Sequence, residues 1–357
     1  MLFRSCGVWK LESCDRLVFV IDGVVYSMRL DTKDTINHGL LFSTTVDRCY
    51  FVQAYKWMVI QDGTSHPKAL QEDENGVAEV YSESASYEDA DSPPADLCLT
   101  PGFVSAYAHG RLHYVPTKLP ALAPVVDDES DPDQLNATPD ILESESGKAS
   151  FVSTDILDIY RPQFLFRMTE HRVLNEGGAI ELPSELGVIN GMSTFRNAAT
   201  GTGTGMLVVF AREGVCSFDV SISRAEWKKV NIGQVLFSTI GTRSPFGLVQ
   251  MNSDVGFIDT EGRLRSVSFE KGNVGNTLTS LPLSHELDIF HKQDDLSNLT
   301  LASSNFNDSR LTFTMMSGDK NGTPCFKALG SLDFARLYSM SGAEGAAFDG
   351  VWTGFNF

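Results

Sequence analysis

The hydrophobic residues of this chain fall in short alternating or apolar runs, broken by Gly, Asp or Asn about every ten residues, a rhythm that predicts antiparallel hairpins. The clearest is Leu17–Ile21, then Asp22-Gly23, then Val24–Leu30. Asp-Gly supplies the positive φ angles of a two-residue type I′ turn, whose twist matches the flanking strands. Trp57–Gln61 followed by Asp62-Gly63 repeats the theme, as does Phe103–Ala108 with Gly110 and Arg111–Val115. Further hairpins are expected at Met206–Ala211 with Val215–Val220, and at Gly247–Met251, Val255–Ile258 and Arg263–Phe269. A last one runs from Arg310–Met316 through Gly318–Gly322 into Cys325–Leu329 and Ser331–Phe334. One short helix is predicted from Ser284 to about Asp295. Ser284 can cap its first turn, Glu286 suits the positive end of its dipole, and Leu287 and Phe290 approximate one stripe.

Hairpins recurring every 40–50 residues or so predict an all-β fold, an irregular β-propeller with acidic loop insertions, the other arrangement being a long sandwich. The expected organisation is a set of N-terminal hairpins over 1–120, an acidic linker over 121–150, and C-terminal hairpins over 151–357. Trp57, Trp227 and Trp352 each stand beside a turn, where their rings can close blade cores.

Charge changes the picture in two places. The 357 residues carry a formal charge of −18. Segment 71–99 holds nine acids and no Lys or Arg, and segment 126–146 holds eight acids and no base, together seventeen of that excess. Such runs read as solvated insertions. A chain this acidic will not grip a phosphate backbone, because that grip depends on Lys and Arg releasing counterions, so no specific nucleic-acid binding is expected. No run approaches the ~20 apolar residues of a membrane-spanning helix, and the first residues lack a signal-peptide core, so no membrane insertion is expected.

Candidate chemistry is sparse. Cys6, Cys14, Cys49, Cys98, Cys216 and Cys325 are scattered, without the paired spacing of a zinc site or a disulfide framework. Gly201, Gly203 and Gly205 suggest a phosphate loop, but they precede an apolar β-run instead of opening a helix, so they read as a loop between strands. His109 and His113 could share a face but have no third ligand at set spacing, and His38, His66, His171, His285 and His291 are isolated. Asp127 to Asp133 could offer oxygen ligands to calcium, but Pro132 interrupts the run and the regular loop pattern is absent. Among 46 acidic residues carboxylate pairs arise by chance, so a glycosidase reading has no anchor. Neither a Gly-x-Ser-x-Gly elbow nor a sialidase-type Ser-x-Asp-x-Gly-x-Thr-Trp box occurs. No catalytic residue, metal ligand or cofactor is expected, and the chain reads as non-enzymatic.

Several phrases, taken in order, resemble a family of tailed-bacteriophage virion structural proteins with a propeller-like body. They are Trp57–Gly63 followed by Pro67; Ala106–Leu112; Gly205–Phe218 followed by Arg224–Trp227; Asn252–Ser266; and Asn305–Leu311 with Phe348–Gly354. The resemblance implies a structural subunit of the tail or neck, assembled in the host cytoplasm into the virion. Its implied partners are other tail or neck proteins around the DNA channel, in a homo-oligomeric ring, with no cofactor. The alternative expectation is a peripheral virion propeller that binds host carbohydrate or a receptor.

Overall fold

The computed structural model describes residues 3–45, 48–73, 75–76, 78–82, 99–117, 148–157, 166–168, 170, 176, 179–195, 205–251, 254–268, 282–320, 323–334 and 352–356. The fold is all-β, a succession of six antiparallel sheets whose strands follow in chain order. The chain divides into two compact units: unit 1 takes Met1–Leu182 and Val220–Ile232, and unit 2 takes Pro183–Asp219 and Gly233–Phe357.

Unit 1 holds three four-stranded sheets. The first is β1 (Phe3–Trp9), β2 (Arg16–Ile21), β3 (Val24–Arg29) and β4 (Thr35–Leu40). The second is β5 (Tyr50–Ala54), β6 (Trp57–Gln61), β7 (Lys68–Glu72) and β8 (Ala78–Ser82). The third is β9 (Gly102–Ala108), β10 (Arg111–Pro116), β11 (Ser150–Ser153) and β12 (Ile180–Glu181). The first strands of successive sheets are neighbours, β1 beside β5 and β5 beside β9.

The sequence pattern follows from this stacking. Arg16, Val18 and Val20 in β2 are buried, with half-buried residues between them, as a strand with one core-facing side requires. β6 instead is buried at every position. Met58 and Ile60 pack into the cluster of Trp9, Val18, Val20 and Val25 from the first sheet. Trp57 and Val59 pack with Leu112, Tyr114 and Val152 of the third. A strand covered on both faces reads as a continuous apolar run, which is why Trp57–Ile60 shows no alternation.

Unit 2 repeats the plan. Its sheets are β13 (Ile189–Phe195), β14 (Met206–Ala211), β15 (Val215–Phe218) and β16 (Gly233–Phe237); then β17 (Leu248–Met251), β18 (Asp254–Ile258) and β19 (Leu264–Ser266); then β20 (Ser304–Asn307), β21 (Arg310–Lys320), β22 (Thr323–Asp333) and β23 (Trp352–Asn356). Here β18 is a strand of the middle sheet buried on both faces. Val255 and Phe257 pack with Val208 and Phe210 of β14, and Ile258 packs with Leu311, Phe313 and Met315 of β21.

The structure differs from the sequence reading in two places. The predicted helix is a 3-10 turn (His285–Leu287) running into a four-residue α1 (Asp288–His291). Ser284 makes no capping bond; its Oγ accepts from the Leu264 amide at 2.9 Å, so tertiary structure uses the hydroxyl that local chemistry reserved for a cap. The start of the acidic segment 71–99 is sheet, since β7 ends at Glu72 and pairs with β8. The expected acidic linker or loop over 121–150 lies between β10 and β11, which pair within one sheet. Residues 83–98 and 118–147, with most of both acidic runs, lie outside the described residues.

Candidate functional site

A buried polar knot in unit 1 gathers more charge than any local pattern predicts. Arg111 opens β10 after the turn His109-Gly110, and its guanidinium grips Glu170, with Nη1 donating to Oε2 at 2.5 Å and Nη2 to Oε1 at 3.3 Å. Arg224 comes from the connection between β15 and β16, and its Nη1 lies 3.7 Å from the same Glu170 Oε2. Both guanidinium groups also donate to one backbone carbonyl, that of Thr154, at 3.0 and 3.1 Å. Arg224 Nε donates to the Glu176 carbonyl at 3.0 Å. Arg224 is 2% exposed, and its pKa is lowered to about 10, first by burial and then by the Arg111 charge. It therefore stays charged near neutrality and needs Glu170, because an unpaired buried charge is strongly destabilising.

The knot continues into an aromatic stack. The Arg224 guanidinium lies 5.6 Å from the Trp227 ring centroid, and the Trp227 ring in turn stacks on His113 at 6.4 Å. Trp227 Nε1 donates to the Ile222 carbonyl at 3.0 Å, which closes the segment on itself. His113 Nδ1 lies 2.7 Å from Ser153 Oγ, and Nε2 lies 3.3 Å from the Ala108 carbonyl.

A serine hydroxyl hydrogen-bonded to an imidazole has the outline of a nucleophile and its base. The environment argues against that use. His113 is fully buried and Ser153 is 1% exposed. Burial pushes the His113 pKa down to about 3, and the charges of Arg111 and Arg224 add to the effect. A base so weak cannot take a hydroxyl proton efficiently near neutral pH. With both ring nitrogens engaged, His113 also has no lone pair left to share with His109 on a metal, while His109 sits in the turn at a φ of +50°.

Unit 2 pairs its buried charges with near neighbours in sequence. Asp259 pairs with Arg265, and the two side chains are 3% and 8% exposed. Asp259 Oδ1 also accepts from the amides of Glu261 and Arg263 at 2.8 and 2.9 Å, so one carboxylate forms the turn Glu261-Gly262. His291 Nδ1 lies 3.3 Å from Asp294, whose other oxygen accepts from the Ser317 amide at 2.7 Å.

Of the other sequence candidates, Gly205 is buried at the start of β14, while residues 201–204, His171, Cys98 and Asp127 to Asp133 lie outside the described residues. Among the described residues, no group of three or more His, Cys, Asp or Glu stands together as metal ligands. Nor is any described helix long and apolar enough to cross a membrane. Trp57 and Trp227 are buried; the side chain of Trp352 lies outside the described set. The sequence reading missed Arg111, Glu170 and Arg224 as a set. The available signal was an arginine inside a run that otherwise reads as core strand, as at Arg111 and Arg265, since such a charge must find a partner.

No family model matches the chain, and a search of curated proteins finds no match. Among solved structures, one similar chain is PorZ, described as an essential bacterial surface component of the type-IX secretion system of Porphyromonas gingivalis. It is 11% identical at a TM-score of 0.42, over 100% of this chain and 33% of that one. A likeness this distant says nothing of what the present chain does.

Proposed function

We propose that this chain is a structural, non-enzymatic subunit of a tailed-phage virion, placed in the tail or neck, where copies assemble with other tail proteins around the DNA channel. The observation that supports the reading best is how the residue types used in catalysis are spent. Arg111, Glu170, Arg224, His113 and Ser153 fasten loops to sheets from inside, at exposures too low for a substrate to reach four of the five. The phrases that resemble the phage family add to it, because Ala106–Leu112 and Asp254–Ser266 each span a strand, its turn and the next strand. They are blade-forming phrases, as a scaffold protein needs.

The test is mass spectrometry of purified virions of a candidate phage, with this chain quantified against the major capsid protein. A fixed low stoichiometry, from a few to a dozen or so copies per particle, is expected for a cyclic tail or neck component. Absence from particles overturns the reading.

A further inference from the structure

Three Asn-Gly pairs occur in the chain, Asn75-Gly76, Asn190-Gly191 and Asn321-Gly322, and the last lies outside the described residues. Glycine has no side chain to obstruct its own backbone nitrogen, so that nitrogen can reach the side-chain amide of an asparagine before it. The two described pairs are held very differently. Asn190-Gly191 lies inside β13, where Gly191 pairs with Phe210 and is buried against Leu248. Asn190 Nδ2 donates to the Thr242 carbonyl at 2.8 Å. Asn75-Gly76 instead lies in the turn between β7 and β8, the outer strand of its sheet. Asn75 is exposed, and Gly76 has a φ of +77°. The Asn75 amide donates to Asp73 Oδ1 and the Gly76 amide to the Asp73 carbonyl, both at 3.0 Å. Among the described residues, no hydrogen bond holds the Asn75 side chain.

We propose that Asn75 is a site of spontaneous deamidation and isomerisation, and that folding directs this chemistry to it and away from Asn190. The Gly76 backbone nitrogen, after losing its proton to hydroxide, attacks Asn75 Cγ. The N–Cγ bond forms, the Cγ–Nδ2 bond breaks and ammonia leaves, which closes a succinimide ring. Water then opens the ring. Cleavage of the new N–Cγ bond gives aspartate. Cleavage of the older bond, from that nitrogen to the Asn75 backbone carbonyl carbon, gives isoaspartate, in which the main chain runs through Cγ. The Gly76 amide must first leave the Asp73 carbonyl, and an exposed turn opens at less cost than a buried strand position whose side chain is also bonded.

The conversion matters for what lies beneath the turn. The Gly76 carbonyl accepts from Arg16 Nη2 at 2.7 Å, and Glu72 Oε1 lies 3.4 Å from the same nitrogen. Arg16 is 2% exposed. Isoaspartate lengthens the main chain by one atom immediately before Gly76 and so draws that carbonyl off the guanidinium. A buried charge that loses a partner destabilises the fold around it. Here that fold is the contact between β2, which carries Arg16, and the β7–β8 hairpin. The inference is independent of where the chain assembles.

The test is peptide mapping by mass spectrometry of the full chain, aged at mildly alkaline pH both folded and in denaturant, with isoaspartate counted by an isoaspartyl methyltransferase. In denaturant Asn75 and Asn190 are expected to convert at similar rates, since neither is held. In the folded chain Asn190 is expected to convert about tenfold or more slowly than Asn75. Equal protection of the two, or conversion of Asn190 first, overturns the proposal. Hydrogen exchange gives the second readout. The aged chain is expected to exchange faster over 68–72 and 78–82 than the fresh one. Freshly prepared Asn75→Asp, which carries the new charge without the extra main-chain atom, is expected to exchange like the fresh parent. Unchanged exchange in a chain rich in isoaspartate at this turn overturns the part given to Arg16.

Discussion

The two units solve the same packing problem with different fastenings. Each has a central sheet that includes a strand, β6 or β18, packed on both faces. Each also uses a glycine where the first strands approach, Gly7 of β1 against Phe51 of β5 and Gly191 of β13 against Leu248 of β17. They part company at the buried charges. Unit 1 ties together Arg111, Glu170 and Arg224, with 59 residues between the partners Arg111 and Glu170 and 70 between Thr154 and Arg224. Unit 2 keeps its pair within six residues, Asp259 to Arg265. A local carboxylate shapes one turn, whereas a long-range arginine couples segments that would otherwise open separately.

Breaking the long-range fastening should have the largest effect. Arg224→Ala leaves Glu170 with one cation fewer and the Thr154 carbonyl with one donor fewer, and by analogy with other buried pairs it should cost about 3–5 kcal/mol. Hydrogen exchange is expected to speed up across 148–157 and 220–232 in unit 1, with unit 2 amides unchanged. Equal acceleration in both units would erase the distinction drawn here.

The paired glycines sharpen the comparison next. A Cβ on Gly7 would stand 2.6 Å from Phe51 Cβ, an atom tied to the backbone. A Cβ on Gly191 would meet Leu248 Cδ1, the far end of a side chain that can turn away. Gly7→Ala should therefore cost about 1–3 kcal/mol in chemical denaturation and Gly191→Ala less, although the second overlap is the deeper on paper. The reverse order would mean that the β1–β5 contact is the softer of the two.

The smallest effect is a pH dependence that belongs to unit 1. Because the folded pKa of His113, about 3, lies below its usual 6.5, the unfolded chain binds a proton that the folded chain refuses. This contribution to stability is complete above the unfolded value and is lost as pH falls from there toward the folded one, by up to about 1.4 kcal/mol per pH unit. His113→Gln should flatten that slope when denaturation midpoints are compared between neutral and mildly acid pH. An unchanged slope would assign the acid sensitivity to other groups.

What was legible in the sequence follows the same divide between local and distant. The turn Asp22-Gly23 could be read because both its chemistry and its flanking alternation lie within about a dozen residues. The Glu261-Gly262 turn was legible for the same reason, though not that Asp259 holds it. The helix at Ser284 was overread, since nothing near it in sequence reveals that the Leu264 amide takes its hydroxyl. The knot was illegible as a knot: Arg224 stood out only as part of a resembling phrase and Trp227 only as a core ring beside a turn, and their partners Glu170, Thr154 and His113 lie in other segments. The spacing of His109 and His113 suggested a shared face, yet one residue sits in a turn and the other inside the core.

The assignment of Val220–Ile232 to unit 1 has a consequence for the order of events at the ribosome. Residues 1–182 are synthesised first, but the arginine and tryptophan that complete their interior arrive only after residues 183–219 have been made. At about 5–20 residues per second, that leaves the nascent first half without its clasp for several seconds. During that interval Glu170 faces Arg111 alone and His113 has no Trp227 to cover it. Vectorial synthesis thus completes unit 1 only with a piece of chain that emerges from within the sequence of its neighbour.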